Sequence, residues 1–256
     1  MERNTSLKKY ENVISLGSFC GPAMEIERIG LHSASFPFDW LIVSSFATVL
    51  QLIENNFSGF LTEENLFQEV SIHPEYYYDA TLGIHFYHDF SKHKSLHEQM
   101  DSVQEKYRRR IKRFYDSIKK PTLFIRYCSK KEEIDYIKEN FKAIDEFLKS
   151  YHPENAIIYI TDLPEEHMDG LDISVYTVQK DKGDTVARKF LRQCPDLRDF
   201  LLEQVNANRK KNLKVYRKNL HRRIRKKIWR KIEKLDRKCL KLFGSHQNIY
   251  KHDKTT

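Results

Sequence analysis

Residues 13–40 read VISLGSFCGPAMEIERIGLHSASFPFDW, and the fold turns on how they are parsed. Val13-Ile14-Ser15-Leu16 is a short apolar run that Gly17 punctuates. After Ser18, Phe19 and Cys20, apolar residues recur at Ala23, Ile26 and Ile29, with Met24 alongside, and Gly30 follows. Spacings of three mark one face of a helix, and the glycine marks its stop. The stretch therefore predicts strand, tight turn, cysteine, helix. A thiol in that position meets the free N–H groups and the positive end of the helix dipole, which favour the thiolate, the nucleophilic form of cysteine. The alternative is a small apolar residue packing a strand–helix junction.

The rest of the chain extends the alternation. Ser33–Trp40 reads as a loop, because Pro37 blocks a helix and pushes Phe36 towards an extended conformation. Ser44 or Ser45 caps a helix carrying Phe46, Val49, Leu50 and Ile53, and HPEYYYD (73–79) reads as an aromatic loop. Residues 82–90 are extended. Leu96, Met100, Val103, Tyr107, Ile111, Phe114 and Ile118 step by three or four along a helix over about 95–119, which Pro121 stops. Leu123-Phe124-Ile125 predicts a strand, Ile134 to Leu148 a helix, 156–160 and 173–178 two further strands, and 184–206 helix. Apolar strands alternating with helices predict an α/β fold, a largely parallel central sheet flanked by helices. Ligands of such sheets lie beyond the carboxyl ends of the strands. Those ends carry Ser18–Cys20, His88-Asp89, Arg126–Ser129 and Thr161-Asp162.

SLGSFC (15–20), GLHSASFPFDW (30–40), IENNFSGFL (53–61), GIHFYHDF (83–90), EKYRRRIKRF (105–114) and LFIR (123–126) together resemble a bacterial family labelled papain-like cysteine peptidases. The resemblance covers roughly residues 10–130. It implies a cysteine-dependent hydrolase or acyl-transfer enzyme, with a papain-like fold as the alternative architecture: nucleophile on a helix, histidine on a later antiparallel sheet. Such chemistry needs an activated cysteine, a histidine base and a group that fixes the imidazole. Cys20 is the cysteine at a turn before a helix. His88 ends an extended run, and the Cys-then-His order resembles papain-type enzymes. Asp89, Asp39 and Asp162 are the candidates for the third role, although neighbours on a strand face opposite sides, which disfavours Asp89. Ser18, Arg126 and Asp162 are candidate substrate contacts. An ion pair of Arg126 with Asp39 or Asp89 is the competing reading of that arginine.

Other chemistry has weaker support. His85, His88, Asp89, His93 and His97 crowd together, but there is no HExxH and no paired cysteine, and His85 and His88 point opposite ways on a strand. No metal and no cofactor is expected. GxxxxGK[ST], GxGxxG and DxD motifs are absent, which argues against P-loop enzymes, Rossmann dehydrogenases and metal-dependent glycosyltransferases. The run Arg108–Arg110 with Lys112 and Arg113 reads as a solvated helix face.

Charge is unevenly spread. Residues 209–241 hold 17 of the 45 Lys and Arg against Glu233 and Asp236, and the remainder is net acidic. Leu213, Tyr216, Leu220, Ile224, Ile228, Ile232, Leu235, Cys239 and Leu242 step by three or four, and Gly244 supplies a stop. This predicts a domain over 1–206, a basic amphipathic helical tail over 207–244 and a disordered 245–256. Arg222, Arg223, Lys226, Lys227, Trp229 and Arg230 are the candidate membrane-binding residues, with residues 209–243 the surface offered to anionic lipid. Docking on the acidic body and RNA binding are the alternatives. Specific nucleic-acid recognition is not expected, since no RNA-reading motif is present. No run of 18 or more apolar residues occurs, MERNTSLKKYENVI offers no apolar leader, and the four cysteines have no paired spacing, so a cytoplasmic protein is expected, peripheral on the inner face of the membrane if the tail engages lipid. The substrate would be a peptide, acyl or glycan group. A second reading makes the chain a glycosyltransferase-like peripheral protein of surface-polysaccharide assembly, with Cys20 structural and Arg126 holding phosphate. A third makes it a non-catalytic interaction protein.

Overall fold

The computed structural model describes residues 9–72, 75–164, 174–179, 189–222 and 224–225. The chain divides into two units, Met1–Asn212 and Leu213–Thr256. Of the anticipated tail helix, residues 209–222 and 224–225 are helical, and the remainder lies outside the described residues. Among the described residues no helix is long and apolar enough to cross a membrane.

The first unit is α/β. Strands β1 (Asn12–Ser15), β6 (Thr122–Cys128), β7 (Ala156–Thr161) and β8 (Val175–Thr177) form a parallel sheet in the order β1-β6-β7-β8. All seven residues of β6 are buried, as expected of a strand covered on both faces. Its side chains alternate between two cores. Leu123, Ile125 and Tyr127 join Val13, Ile158 and Ile160 under α1 (Gly21–Arg28), α5 (Phe190–Gln193) and α6 (Pro195–Gln204). Phe124 and Cys128 join Ile14, Leu16 and Tyr159 on the other face, against α2 (Phe46–Glu54), α3 (His97–Ile118) and α4 (Lys131–Tyr151). The helices follow their sequence signals. Ser45 caps α2 by accepting a 3.1 Å hydrogen bond from the Thr48 N–H, and α3 buries Met100, Val103, Tyr107, Phe114 and Ile118. Of the helix expected over 184–206, residues 184–188 lie outside the described residues, and the rest is interrupted at Cys194, with Pro195 opening α6.

A second sheet was not anticipated. Strands β2 (Leu41–Val43), β3 (Leu66–Gln68), β4 (Tyr77–Asp79) and β5 (Ile84–Phe86) pair antiparallel in the order β2-β5-β4-β3. The aromatic segment read as a loop thus supplies β4, and the 82–90 run contributes only three strand residues. The inward faces of this sheet, including Leu41, Val43, Ile84, Phe86 and Tyr77, share the core of α2, α3 and α4.

Arg126 joins the two sheets. It lies inside β6 rather than at its end, and its side chain is 0% exposed. Its Nε donates to Glu133 Oε1 at 2.7 Å and its Nη2 sits 2.6 Å from the same oxygen. Nη1 donates to the Leu16 carbonyl and Nη2 to the Val43 carbonyl, both at 2.8 Å. The guanidinium therefore ties the chain just past β1, the end of β2 and the first turn of α4. Its partner is Glu133, not Asp39 or Asp89 as the competing reading supposed. With its donors spent inside the protein, Arg126 is not presented to a phosphate. Removing it would leave a buried carboxylate and two buried carbonyls without their partner. Arg126→Met is expected to destabilise the protein by about 3–5 kcal/mol in urea denaturation, and pairing it with Glu133→Leu to recover part of that loss. A cost below about 1 kcal/mol for the single substitution would contradict this role.

Candidate functional site

The turn after β1 is built around an unusual backbone. The Leu16 N–H still follows the sheet, donating to the Ile125 carbonyl at 2.8 Å. Gly17 then takes φ +81° and Ser18 φ +78°. A Cβ at Gly17 would come within 3.3 Å of the Phe38 carbonyl oxygen, so both the conformation and the space call for glycine. Ser18 has no such excuse. A left-handed non-glycine residue costs roughly 1–2 kcal/mol, and it is held here by the Val43 N–H, which donates to the Ser18 carbonyl at 3.0 Å. Residues kept in such conformations cluster at functional sites.

Cys20 occupies the N-cap of α1, and its side chain does not cap the helix. It is half-buried. The first turn itself contains no acidic residue. Of the other described cysteines, burial pushes the Cys128 thiol well up, and burial followed by the charge of Asp196 pushes Cys194 up. Thiols so placed are poor nucleophiles at neutral pH.

The second sheet brings a histidine to the same end of the protein. Val43, whose N–H holds Ser18, pairs with Ile84, and its neighbour Ile42 pairs with His85. Cross-strand partners share a face. Ile84 and Phe86 point into the core, so Ile42 and His85 point the other way, where His85 is half-buried. The ring of Tyr78, its partner on β4, lies 4.5 Å away centroid to centroid. His85 Nδ1 is hydrogen-bonded to the Tyr76 hydroxyl. Burial, and then the charge of Lys130, lower the His85 pKa, which favours the neutral imidazole. Lys130 sits between the end of β6 and α4, at the carboxyl edge of the parallel sheet. In the tautomer whose Nδ1–H donates to the Tyr76 oxygen, Nε2 is left to accept a proton.

The residues nominated from sequence separate into two groups. Ser18, Cys20 and Asp162 lie on loops that follow β1 and β7. Phe19 meets the ring of Tyr127 edge-on at 5.2 Å, and Tyr127 is pushed up first by burial and then by the charge of Asp162. The Ser18 side chain is buried, so what the turn can offer a substrate is chiefly backbone. His88, Asp89 and Asp39 belong to the other group. β5 sets Ile84 beside Val43 and Phe86 beside Leu41, so the chain running on to His88 leaves the Ser18–Val43 contact behind. His88 is exposed, its ring against Tyr87. The Asp89 carboxylate accepts from the Tyr107 hydroxyl at 2.9 Å and pairs with Lys106 at 2.6 Å and Arg110 at 3.8 Å. Asp39, fully buried, accepts from the Phe36 N–H and from His32 Nε2, both at 2.8 Å. Among the described residues no group of three or more His, Cys, Asp and Glu is placed to hold a metal ion.

Two further histidines hold structured positions: His85, weighed from sequence only as a metal ligand, and His32, which was not nominated. The signal for His85 is strand alternation: it and His88 cannot serve the same face. The signal for His32 is weaker, a histidine seven residues before an aspartate across a proline-containing loop. Burial acts to lower His32, but its hydrogen bond to Asp39 and the charges of Asp39 and Glu27 outweigh that and Arg110, leaving its pKa raised above 6.5. A raised folded-state value adds stability that is complete below the unfolded pKa and is lost as pH rises through the folded one. Wild-type protein is therefore expected to lose stability as pH climbs from 6.5, and His32→Gln to flatten that slope when urea midpoints are measured across the range. An unchanged slope would mean the pair does not titrate as described.

Comparison with known proteins follows this geometry. An uncharacterised protein of Acanthamoeba polyphaga mimivirus, R408, is 29% identical over 171 residues, spanning 57% of this chain and 73% of the viral one. That relative is viral, so it lends nothing to the bacterial label attached to the motif pattern. No solved structure matches the chain. A family model matches residues 11–158, from β1 through the first half of β7, and so takes in Cys20, both sheets and His85. With that match over more than half its length, the chain belongs to the family described as "Putative papain-like cysteine peptidase".

Proposed function

We propose that this protein is a cysteine-dependent hydrolase acting on peptide bonds, with Cys20 as nucleophile and His85 as general base. One observation carries the assignment: the Val43 N–H to Ser18 carbonyl hydrogen bond seats the Cys20 turn on β2, one residue from the partner of His85. Family membership supports the class of reaction. A cysteine opening a helix and a histidine on a later antiparallel sheet is also the order of parts that papain-type chemistry uses.

The step follows from these groups. His85 Nε2 takes the Cys20 proton, and the thiolate attacks the scissile carbonyl carbon. The Gly21 and Ala23 N–H groups are the first-turn donors of α1 left to stabilise the resulting oxyanion, since Pro22 has no N–H and the Met24 N–H donates to the Cys20 carbonyl. Collapse breaks the C–N bond, and the His85 imidazolium protonates the departing amine. Water, deprotonated by His85, then attacks the thioester carbonyl, releasing the acid and restoring the thiol. Tyr76 holds the imidazole through Nδ1, the role that an Asp or Asn fills in other triads. Ser18 offers a substrate its backbone, and Asp162, on the loop after β7, is the nearby carboxylate candidate for substrate contact. His88 is the competing base, and substitution separates the two.

The test is hydrolysis of a fluorogenic peptide library by purified variants. Cys20→Ser is expected to abolish cleavage. His85→Ala should lower kcat/KM by about 10²–10⁴, while His88→Ala changes it by less than roughly threefold. Activity surviving in Cys20→Ser would end the proposal. The reverse ranking of the two histidines would transfer the base to His88 and remove the role given to Tyr76.

A further inference from the structure

The second unit supplies a surface that the hydrolase reading does not use. Residues 213–222 and 224–225 are helical. Leu213, Tyr216, Leu220 and Ile224 recur at spacings of three and four, which at 3.6 residues per turn confines them to a sector of about 80°. Leu220 is 38% exposed and Ile224 47%. Lys214, Lys218, Arg222 and Arg225 are exposed and project from the other side of the helix, and Arg217 borders the apolar stripe. Val215, also exposed, lies on the cationic side and takes no part in the stripe.

Charge decides what covers this helix. No Asp or Glu occurs between Glu203 and Glu233, so its cations have no acidic neighbour at i±3 or i±4 with which to pair. The cationic face is therefore left open to an anionic surface. The exposed leucine and isoleucine choose among anionic partners. A nucleic acid would engage the phosphate-seeking cations and leave the apolar stripe in water. A lipid surface engages both, taking the stripe among the acyl chains and the cations at the headgroups. The helix is too polar to cross the bilayer and has the composition of one that lies in the interface plane.

We propose that residues 213–225 bind an anionic lipid surface, with Leu213, Tyr216, Leu220 and Ile224 inserted and Lys214, Arg217, Lys218, Arg222 and Arg225 facing the headgroups. Arg223, Lys226, Lys227, Trp229 and Arg230, also nominated from sequence, lie outside the described residues, and the proposal stands without them. A hydrolase recruited in this way works on substrates at or near the membrane surface, whichever histidine serves as its base.

The experiment is co-sedimentation of the full chain with vesicles of phosphatidylcholine alone and with vesicles containing roughly a third phosphatidylserine, a composition that gives a negative surface potential. Partition onto the anionic vesicles is expected to exceed that onto neutral ones by at least about tenfold and to fall away in molar salt, where the Debye length shrinks to about 3 Å. Leu220→Glu with Ile224→Glu should abolish binding, and Lys214→Glu with Lys218→Glu should weaken it, while circular dichroism and peptide hydrolysis stay at wild-type levels. Equal partition onto both vesicle types, binding untouched by either double substitution, or capture by single-stranded RNA but not by vesicles would each overturn the proposal. Because these residues are remote in sequence from Cys20 and His85, loss of vesicle binding with intact hydrolysis separates this claim from the catalytic one.

Discussion

A buried arginine sets the terms for the rest of this molecule. Burying a guanidinium is costly unless its charge is balanced and its donors are spent. Arg126 meets both demands with Glu133 and with the carbonyls of Leu16 and Val43, and it lies over the ring of Phe46 at 5.3 Å. The choice of partners has structural consequences. Leu16 is the last residue before the Gly17–Ser18 turn, and Val43 ends β2. Val43 uses its carbonyl for Arg126 and its N–H for Ser18. One residue thereby links the guanidinium that joins the sheets to the strained turn that presents Cys20. The strain at Ser18 and the placement of His85 on the far sheet are both stabilised by this junction.

Ionisable groups elsewhere follow a division of labour. Along α3, Tyr107, Arg110 and Phe114 fall on the inward face and Arg113 beside it. Arg110 serves Asp89, and Arg113 Nη2 donates to the Ser35 carbonyl at 2.9 Å. Arg108, Arg109 and Lys112 face out, pairing locally with Glu105 and Asp116, where exposed pairs contribute little. Asp39 and His32 thus brace the loop before β2 from within, Arg113 ties that loop to α3, and Asp89 ties the segment after β5 to the same helix. The two carboxylates are occupied by those tasks.

Much of this was legible in the sequence, for reasons that can be stated. The α3 stripe from Met100 to Ile118, the Ser45 cap, the Gly30 stop with φ +82° and the buried run of β6 and β7 are local patterns, and local patterns report local structure. The antiparallel sheet was not local. Its strands are three residues long, below the length at which alternation can be counted, and Tyr77 pairs with Phe86 across an intervening turn. Arg126 was misplaced because a charge usually marks the end of an apolar strand, whereas β6 continues through Tyr127 and Cys128 with both faces covered. His88 was preferred to His85 because it ends the extended run and precedes Asp89. Alternation within β5 sets His85 on the face opposite Ile84 and Phe86.

The proposed chemistry needs a Cys20 thiol that the α1 N-terminus and the His85 imidazole make reactive. The direct measurement is the rate of iodoacetamide alkylation at Cys20 from pH 5 to 9, resolved by peptide mass and compared with Cys128 and Cys194, in wild-type protein and in His85→Gln. Labelling of Cys20 that is faster than that of the other two, persists well below the free-thiol pKa of about 8.5, and retreats towards it in His85→Gln is the predicted result. Labelling of Cys20 no faster than of Cys128 or Cys194, or a pH profile indifferent to His85, would contradict the account.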